Sequence, residues 1–163
     1  MFYLDLFAGL DRHGVNYALI GGLAVALHGV ERNTMDIDIC VVMSPDNLQN
    51  LIAAAKDMGI KPMLPVPLET LGQIDTLREW HTQRNLLAFA LQTPGPAGVT
   101  LDVLLFPPID PQDICERALV LDVTGTPVKL ASIEDLIALK ASAGRPIDLS
   151  DIEHLKRLQQ QEP

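Results

Sequence analysis

With 163 residues, 48% of them apolar, the chain is long and apolar enough to bury a core as one domain, which excludes an intrinsically disordered segment. Its formal charge of -9 repels nucleic acid over long range, so no bulk nucleic-acid binding is expected, although a local basic groove stays compatible with it. No apolar run approaches the ~20 residues that cross a bilayer, and the N-terminal Met-Phe-Tyr-Leu-Asp-Leu-Phe lacks the basic leader of a signal peptide.

Cys40 and Cys115 have no metal-ligand spacing and read as small core residues in a reducing compartment. A cytoplasmic protein without membrane contact is the expectation.

Apolar residues Phe2, Leu6, Phe7 and Leu10, with charges between them, predict an amphipathic helix over 2–12 that ends at His13-Gly14. A short strand over 16–20 runs straight into Gly21-Gly22, then a compact apolar helix over 23–27 with Gly29 at its C-terminal cap. A second strand, rich in β-branched residues, is expected over 36–43. Ser44-Pro45-Asp46 then starts a helix, with Ser44 as N-cap and Pro45 in the first position. Leu48, Leu51, Ile52 and Ala55 recur at helical spacing, and Gly59 closes the element. Pro62 and Pro65 limit a strand around 60–64 to a short one.

Over 66–85 the pattern is weak. Leu68, Leu71, Ile74 and Leu77 hint at a helix, followed by a polar run over 78–85. Strands over 85–92 and 99–106, joined by Pro94-Gly95-Pro96-Ala97-Gly98, form a hairpin that Pro107-Pro108 ends. A short helix over 112–118 leads into strands 119–123 and 128–130, a small edge hairpin. Two helices follow. Ser132 caps the first, Gly144-Arg145-Pro146 breaks it, and Asp148 or Ser150 caps the second. The expected architecture is a mixed α/β sheet flanked by helices, with a core over 1–130 and a C-terminal helical pair over 131–163 packed on the same domain.

In a strand, Asp36 and Asp38 project from one face about 6.5–7 Å apart. Cys40 and Val42 continue that face, and Ile37, Ile39, Val41 and Met43 cover the other, which marks a central strand. Two acids at the mouth of such a strand repel each other unless a cation lies between them, and an all-oxygen pair suits magnesium or manganese. Solvation at a strand end, or a turn cap, is the better account of an isolated Asp-x-Asp. Asp102 shifts the balance. It lies early in Val-Thr-Leu-Asp-Val-Leu-Leu-Phe, where an acid is costly unless it reaches a polar site. If the two strands are neighbours, Asp102 completes a three-carboxylate cluster of the kind that serves two-metal chemistry. Gly21-Gly22 lets the backbone approach a phosphate closely. The third glycine of a dinucleotide fingerprint and the lysine of a Walker A loop are both absent.

The run Gly21-Gly22-x-Ala24-x-x-x-His28-Gly29-x-x-Arg32-x-Thr34-x-Asp36-Ile37-Asp38 resembles the signature of the nucleotidyltransferase superfamily, in its minimal, AbiEii-toxin-like branch. The superfamily pattern is a glycine turn, then a hydrophobic-Asp-x-Asp strand, then a third carboxylate on a later strand. The resemblance covers residues 15–106 and, more loosely, the final helices. It implies a nucleotidyltransferase core in which a nucleoside monophosphate passes from a nucleoside triphosphate to an acceptor with release of pyrophosphate. Magnesium, or manganese, is the implied cofactor. By that resemblance Gly21 and Gly22 hold the triphosphate, Asp36 and Asp38 bind metal, and Asp102 helps a second metal or deprotonates the acceptor. Gly22 stands where many members carry serine, so one hydroxyl contact is missing. The acceptor is a small molecule, a protein or an RNA end, and the branch implies an antitoxin partner. A catalytically silent nucleotide- or partner-binding module is the alternative. A sugar-nucleotide glycosyltransferase using Asp-x-Asp fits the short chain less well.

Several charged residues read two ways. Lys140 shares a helical stripe with Ile133, Leu136 and Ile137, and either snorkels to water or reaches the triphosphate. Arg32 either contacts phosphate or pairs with Asp36 or Glu31. His28 reads as a helix-end residue rather than a general base. Trp80, His81 and Arg84 are assigned to local packing and a solvated turn. Arg145-Pro146-Ile147-Asp148-Leu149-Ser150-Asp151 resembles a Lys/Arg-x-x-Asp-x-x-Asp helix junction of this branch, with Asp148 as a cap.

Overall fold

The structure, a computed structural model, describes residues 2–161. The N-terminal Met1 of the leader reading, the Phe2 side chain counted on the first apolar face, and the last two residues of the 131–163 extension lie outside the described part. The elements in chain order are α1 (Phe2–Arg12), β1 (Tyr17–Ile20), α2 (Gly21–Leu27), β2 (Ile37–Val41), α3 (Pro45–Asp57), β3 (Lys61–Pro62), a 3-10 helix (Leu68–Gly72), α4 (Ile74–Arg84), β4 (Ala88–Gln92), β5 (Thr100–Leu104), α5 (Pro111–Arg117), β6 (Leu119–Val123), β7 (Thr126–Leu130), α6 (Ile133–Ala143) and α7 (Pro146–Gln161).

All seven strands join one mixed sheet in the order β3-β4-β5-β2-β1-β7-β6. β2 is its middle strand, as apolar residues on both faces require: Ile37, Ile39, Cys40 and Val41 are all buried. It runs antiparallel to β1 and parallel to β5, with Asp38 opposite Ile20 on one side and opposite Asp102 on the other. Phe7 of α1 stacks on Tyr17 of β1 at 5.8 Å between ring centroids. Ser44 caps α3 through a 3.2 Å bond from the Asn47 amide, as its sequence demands. Leu136 of α6 and Leu155 of α7 join the same buried cluster as the sheet.

The structure departs from the sequence pattern in five places. β2 starts at Ile37 rather than at residue 36, so Asp36 lies in the preceding exposed loop and strand alternation does not set where it points. Gly21 and Gly22 open α2 instead of forming a separate turn before it. The polar run is helical over 78–84, with Asn85 as a left-handed cap: α4 holds only Leu77 fully inside, and its low apolar content hid it. β7 is no edge strand, since it pairs in parallel with β1 and leaves β6 at the rim. α7 starts at Pro146, whose fixed φ suits a first helical turn, so Asp148 and Ser150 lie inside the helix. The two cysteines also influence each other: the nearby Cys115 thiol on α5, together with burial, pushes the Cys40 thiol up.

Candidate active site

Strand pairing brings two of the three acids together. Asp38 and Asp102 are direct partners on adjacent parallel strands, which lie about 4.8 Å apart. Gly21 is pressed against Asp38 from the end of β1. Its φ is +72°, and a Cβ there would stand 2.9 Å from both Cβ and Cγ of Asp38 and closer still to its Oδ2. Only glycine has both the conformation and the missing atom.

The acids strain one another. Burial, then the charges of Asp102 and Asp36, push the Asp38 carboxyl up to about 6, against the pull of Lys140 and Arg145. Burial and Asp36 push Asp102 up as well. Asp36 therefore shares the field of the pair from its loop. Among the described residues no three His, Cys, Asp or Glu side chains stand close enough to hold a metal ion as they are. The donor chemistry nevertheless fits a hard divalent cation, because it offers carboxylate oxygens whose mutual repulsion such an ion relieves.

The cations, in contrast, are satisfied. Lys140 is 6% exposed and does not snorkel; its Nζ lies 2.8 Å from Asp151 and 3.6 Å from Asp148. Arg32 pairs with neither Asp36 nor Glu31. Its Nε donates to Asp151 at 3.0 Å and its Nη1 to the Asn33 carbonyl at 2.9 Å. Arg145 donates to Asp148 from Nε at 2.7 Å, from Nη2 at 3.1 Å and from its backbone amide at 3.1 Å. The last bond stands in place of the N-cap role expected of Asp148: the Arg145 amide, just ahead of the helix, donates to Asp148 at its third position. Burial pushes the Asp148 carboxyl up, but the Arg145 bonds and the nearby Lys140 outweigh it and hold it below the usual carboxylate range.

A cleft of about 490 Å³ opens over the acids, with Gly21, Asp38, Asp102, Lys140, Arg145 and Asp148 along it. Leu87, Phe106, Pro107 and Leu139 give it an apolar wall. Of the residues singled out in the sequence, Gly21, Asp38, Asp102 and Lys140 line this cleft. Gly22, in the first turn of α2, and Arg32 beside it are not part of that lining, and Asp36 stands in the loop ahead of β2.

Four further cleft residues carried weak signals or none. Arg145 belongs to the break between the last two helices, and the pattern of that junction offers Asp148 only as a cap. His81, set aside as packing, lines the cleft, and its Nδ1 bonds the Leu86 carbonyl at 3.0 Å. Phe106 gave no signal: its φ of +45° is unusual outside glycine, and Arg78 lies 4.5 Å from its ring centroid. His28 has the structural role expected of it, with Nε2 bonding the Ala131 carbonyl at 2.8 Å.

Comparison with known proteins adds the lineage. The family model described as nucleotidyl transferase AbiEii toxin, Type IV TA system, matches residues 5–162. Among solved structures, an antigenic nucleotidyltransferase-like protein from Paracoccidioides brasiliensis is 20% identical with a TM-score of 0.60, over 95% of this chain and 73% of that one. ANT(2")-Ia in complex with adenylyl-2"-tobramycin is 15% identical with a TM-score of 0.55, over 97% of this chain and 95% of that one. Among curated proteins, none matches the chain.

Proposed function

We propose a nucleotidyl-transfer function for this chain, which belongs to the AbiEii nucleotidyl transferase toxin family. Family and fold make it a nucleotidyltransferase; the donor, the ion and the residue roles are our reading. A nucleoside triphosphate is the donor. The acceptor oxygen attacks the α-phosphorus, the bond from that phosphorus to the bridging oxygen of the β-phosphate breaks, and pyrophosphate leaves. The observation that carries this reading is the Asp38–Asp102 register pair at the foot of a cleft that Gly21 and Lys140 also line.

Asp38 and Asp102, with Asp36 from its loop, are the residues that would hold magnesium or manganese; bound there, such an ion supplies charge neutralisation at the triphosphate and lowers the pKa of an oxygen bound to it. Gly21 and Gly22 bring backbone amides to the phosphates. Arg32 and Lys140 add charge-assisted contacts. Asp102, made more basic by burial and by Asp36, either helps a second metal or takes the acceptor proton in this reading. Residues 1–130 form the transferase core in this reading, and 131–163 extend the same domain while supplying Lys140.

The acceptor is a small molecule, a protein or an RNA end, and the Type IV toxin–antitoxin description of the family brings in an antitoxin partner. Among the described residues no helix is long and apolar enough to cross a membrane, and we place the protein in the cytoplasm, where nucleotides are supplied. The paired state of Lys140 and Arg145 favours a second reading, a silent nucleotide- or partner-binding module.

Incubation with each α-labelled nucleoside triphosphate and magnesium separates the two. RNA, protein and small-molecule fractions serve as acceptors. Label transfer with pyrophosphate release, lost in Asp38→Asn, is the expected result. Nucleotide binding without transfer supports the silent module.

A further inference from the structure

Gly22 leaves room for something specific. A Cβ at that position would stand 3.2 Å from Arg32 Nη2 and 3.2 Å from both Cβ and Oγ1 of Thr34. The guanidinium of Arg32 and the Thr34 side chain therefore close over the space where a side chain at position 22 would begin. Neither neighbour is free to give way. Arg32 is fixed through Nε by Asp151, itself 2% exposed, and through Nη1 by the Asn33 carbonyl. The Thr34 hydroxyl donates to the Asp36 carbonyl at 3.2 Å. Arg32 Nη2 has no protein acceptor among the described residues, and the Arg32 side chain is only partly buried.

The same carboxylate serves a second cation. Asp151 Oδ2 is 2.8 Å from Lys140 Nζ, while Asp151 Oδ1 takes Arg32 Nε. One buried acid on α7 thus aligns an arginine from the loop before β2 with a lysine from α6. With Arg145 and Asp148 included, three cations share two carboxylates, and one positive charge is in surplus beside the glycine turn.

From this we infer that Arg32, aimed by Asp151, takes the place of a side chain at position 22 and presents Nη2 to a polyphosphate oxygen. Asp151 is then a positioning residue for polyphosphate binding. Position 22 has to stay glycine, because a serine there displaces the guanidinium that does its work. The inference rests on the nucleotide-binding reading above and deepens it.

Calorimetric titration with sodium tripolyphosphate, and with ATP, in magnesium buffer tests it on the full chain. Gly22→Ser is expected to weaken tripolyphosphate binding roughly tenfold although it adds a hydroxyl, and Asp151→Asn to weaken it roughly ten- to a hundredfold. In an Arg32→Ala background the effect of Asp151→Asn shrinks to the part that acts through Lys140; an undiminished loss in that background shows that the carboxylate does not act through the guanidinium and overturns the positioning role. Tighter binding in Asp151→Asn makes Asp151 a competitor of phosphate and overturns the inference, and tighter binding in Gly22→Ser does the same. If Asp151→Asn does not fold, Gly22→Ser at the start of a short helix still decides. Wild-type protein that binds neither ATP nor tripolyphosphate defeats the nucleotide reading itself, an outcome distinct from any difference among variants.

Discussion

The two sides of the cleft are in opposite electrostatic states. On the sheet side, Asp38 and Asp102 face each other across β2 and β5 with Asp36 nearby, and their carboxyls are driven up. On the helical side, Lys140 and Arg145 are tied to Asp148 and Asp151, as is Arg32 from the loop before β2 outside the cleft lining, and the carboxyl of Asp148 is driven down. A structure built for stability alone would have let the cations neutralise the nearest acids. Instead the fold spends Asp148 and Asp151 on the cations and leaves the strand acids uncompensated. Such an arrangement is complementary to a ligand that brings its own positive charge to the acids and its own negative charge to the helices, as a metal-bound triphosphate does.

The largest effect should come from the uncompensated side. Asp38→Asn is expected to lower nucleotidyl transfer by about 10³-fold or more, measured as pyrophosphate release. The same substitution should stabilise the metal-free fold. A carboxyl whose folded value is about 6 against an ordinary 3.8 disfavours the folded state once pH rises through that window. In chelator, Asp38→Asn should therefore unfold about 1–3 kcal/mol later than wild type at pH 7, with the gap closing towards pH 4. Equal stability at both pH values would remove the contrast between the two sides.

On the compensated side the sign reverses. Asp148→Asn leaves Lys140 and Arg145 short of a buried partner and should cost about 3 kcal/mol in chemical denaturation near pH 7. A carboxyl held below its usual range contributes stability that is present above the unfolded value and lost as pH falls through the folded one. The wild-type advantage should thus fade in acid, below the ordinary carboxylate range. A variant as stable as wild type at pH 7 would show that the cations need no such partner.

Smaller effects sharpen the boundaries. Gly21→Ala forces a side chain into a positive φ and against Asp38 and should cost about 1–2 kcal/mol while weakening ATP binding. His28→Ala removes the bond to the Ala131 carbonyl that ties the α2 end to the chain entering α6. It should cost about 1 kcal/mol in thermal unfolding and leave transfer unchanged. Lost transfer there would give His28 a chemical role that its geometry does not suggest.

The acid side was legible in the sequence because strands write a simple code. Alternation and apolar faces placed Asp38 and Asp102 on central strands, and the structure makes those strands neighbours in register. The limit of that code is Asp36, one residue ahead of β2, where alternation no longer applies.

The cation side was hidden because its partners are long-range. Arg32 and Asp151 are 119 positions apart, so no local pattern separates that pair from one with Glu31 or Asp36. Lys140 lay on an apolar stripe, which fixed its burial and left its partners open. α4 was missed for a different reason: a helix with one fully buried residue has almost no apolar periodicity to read, and His81 was set aside with it.

The most direct test of the account is calorimetric binding of ATP to wild type and Asp38→Asn, with and without magnesium. Magnesium-dependent binding in wild type that disappears in Asp38→Asn is the predicted result. Undiminished binding in Asp38→Asn would contradict the assignment of the strand acids to the metal-bound triphosphate.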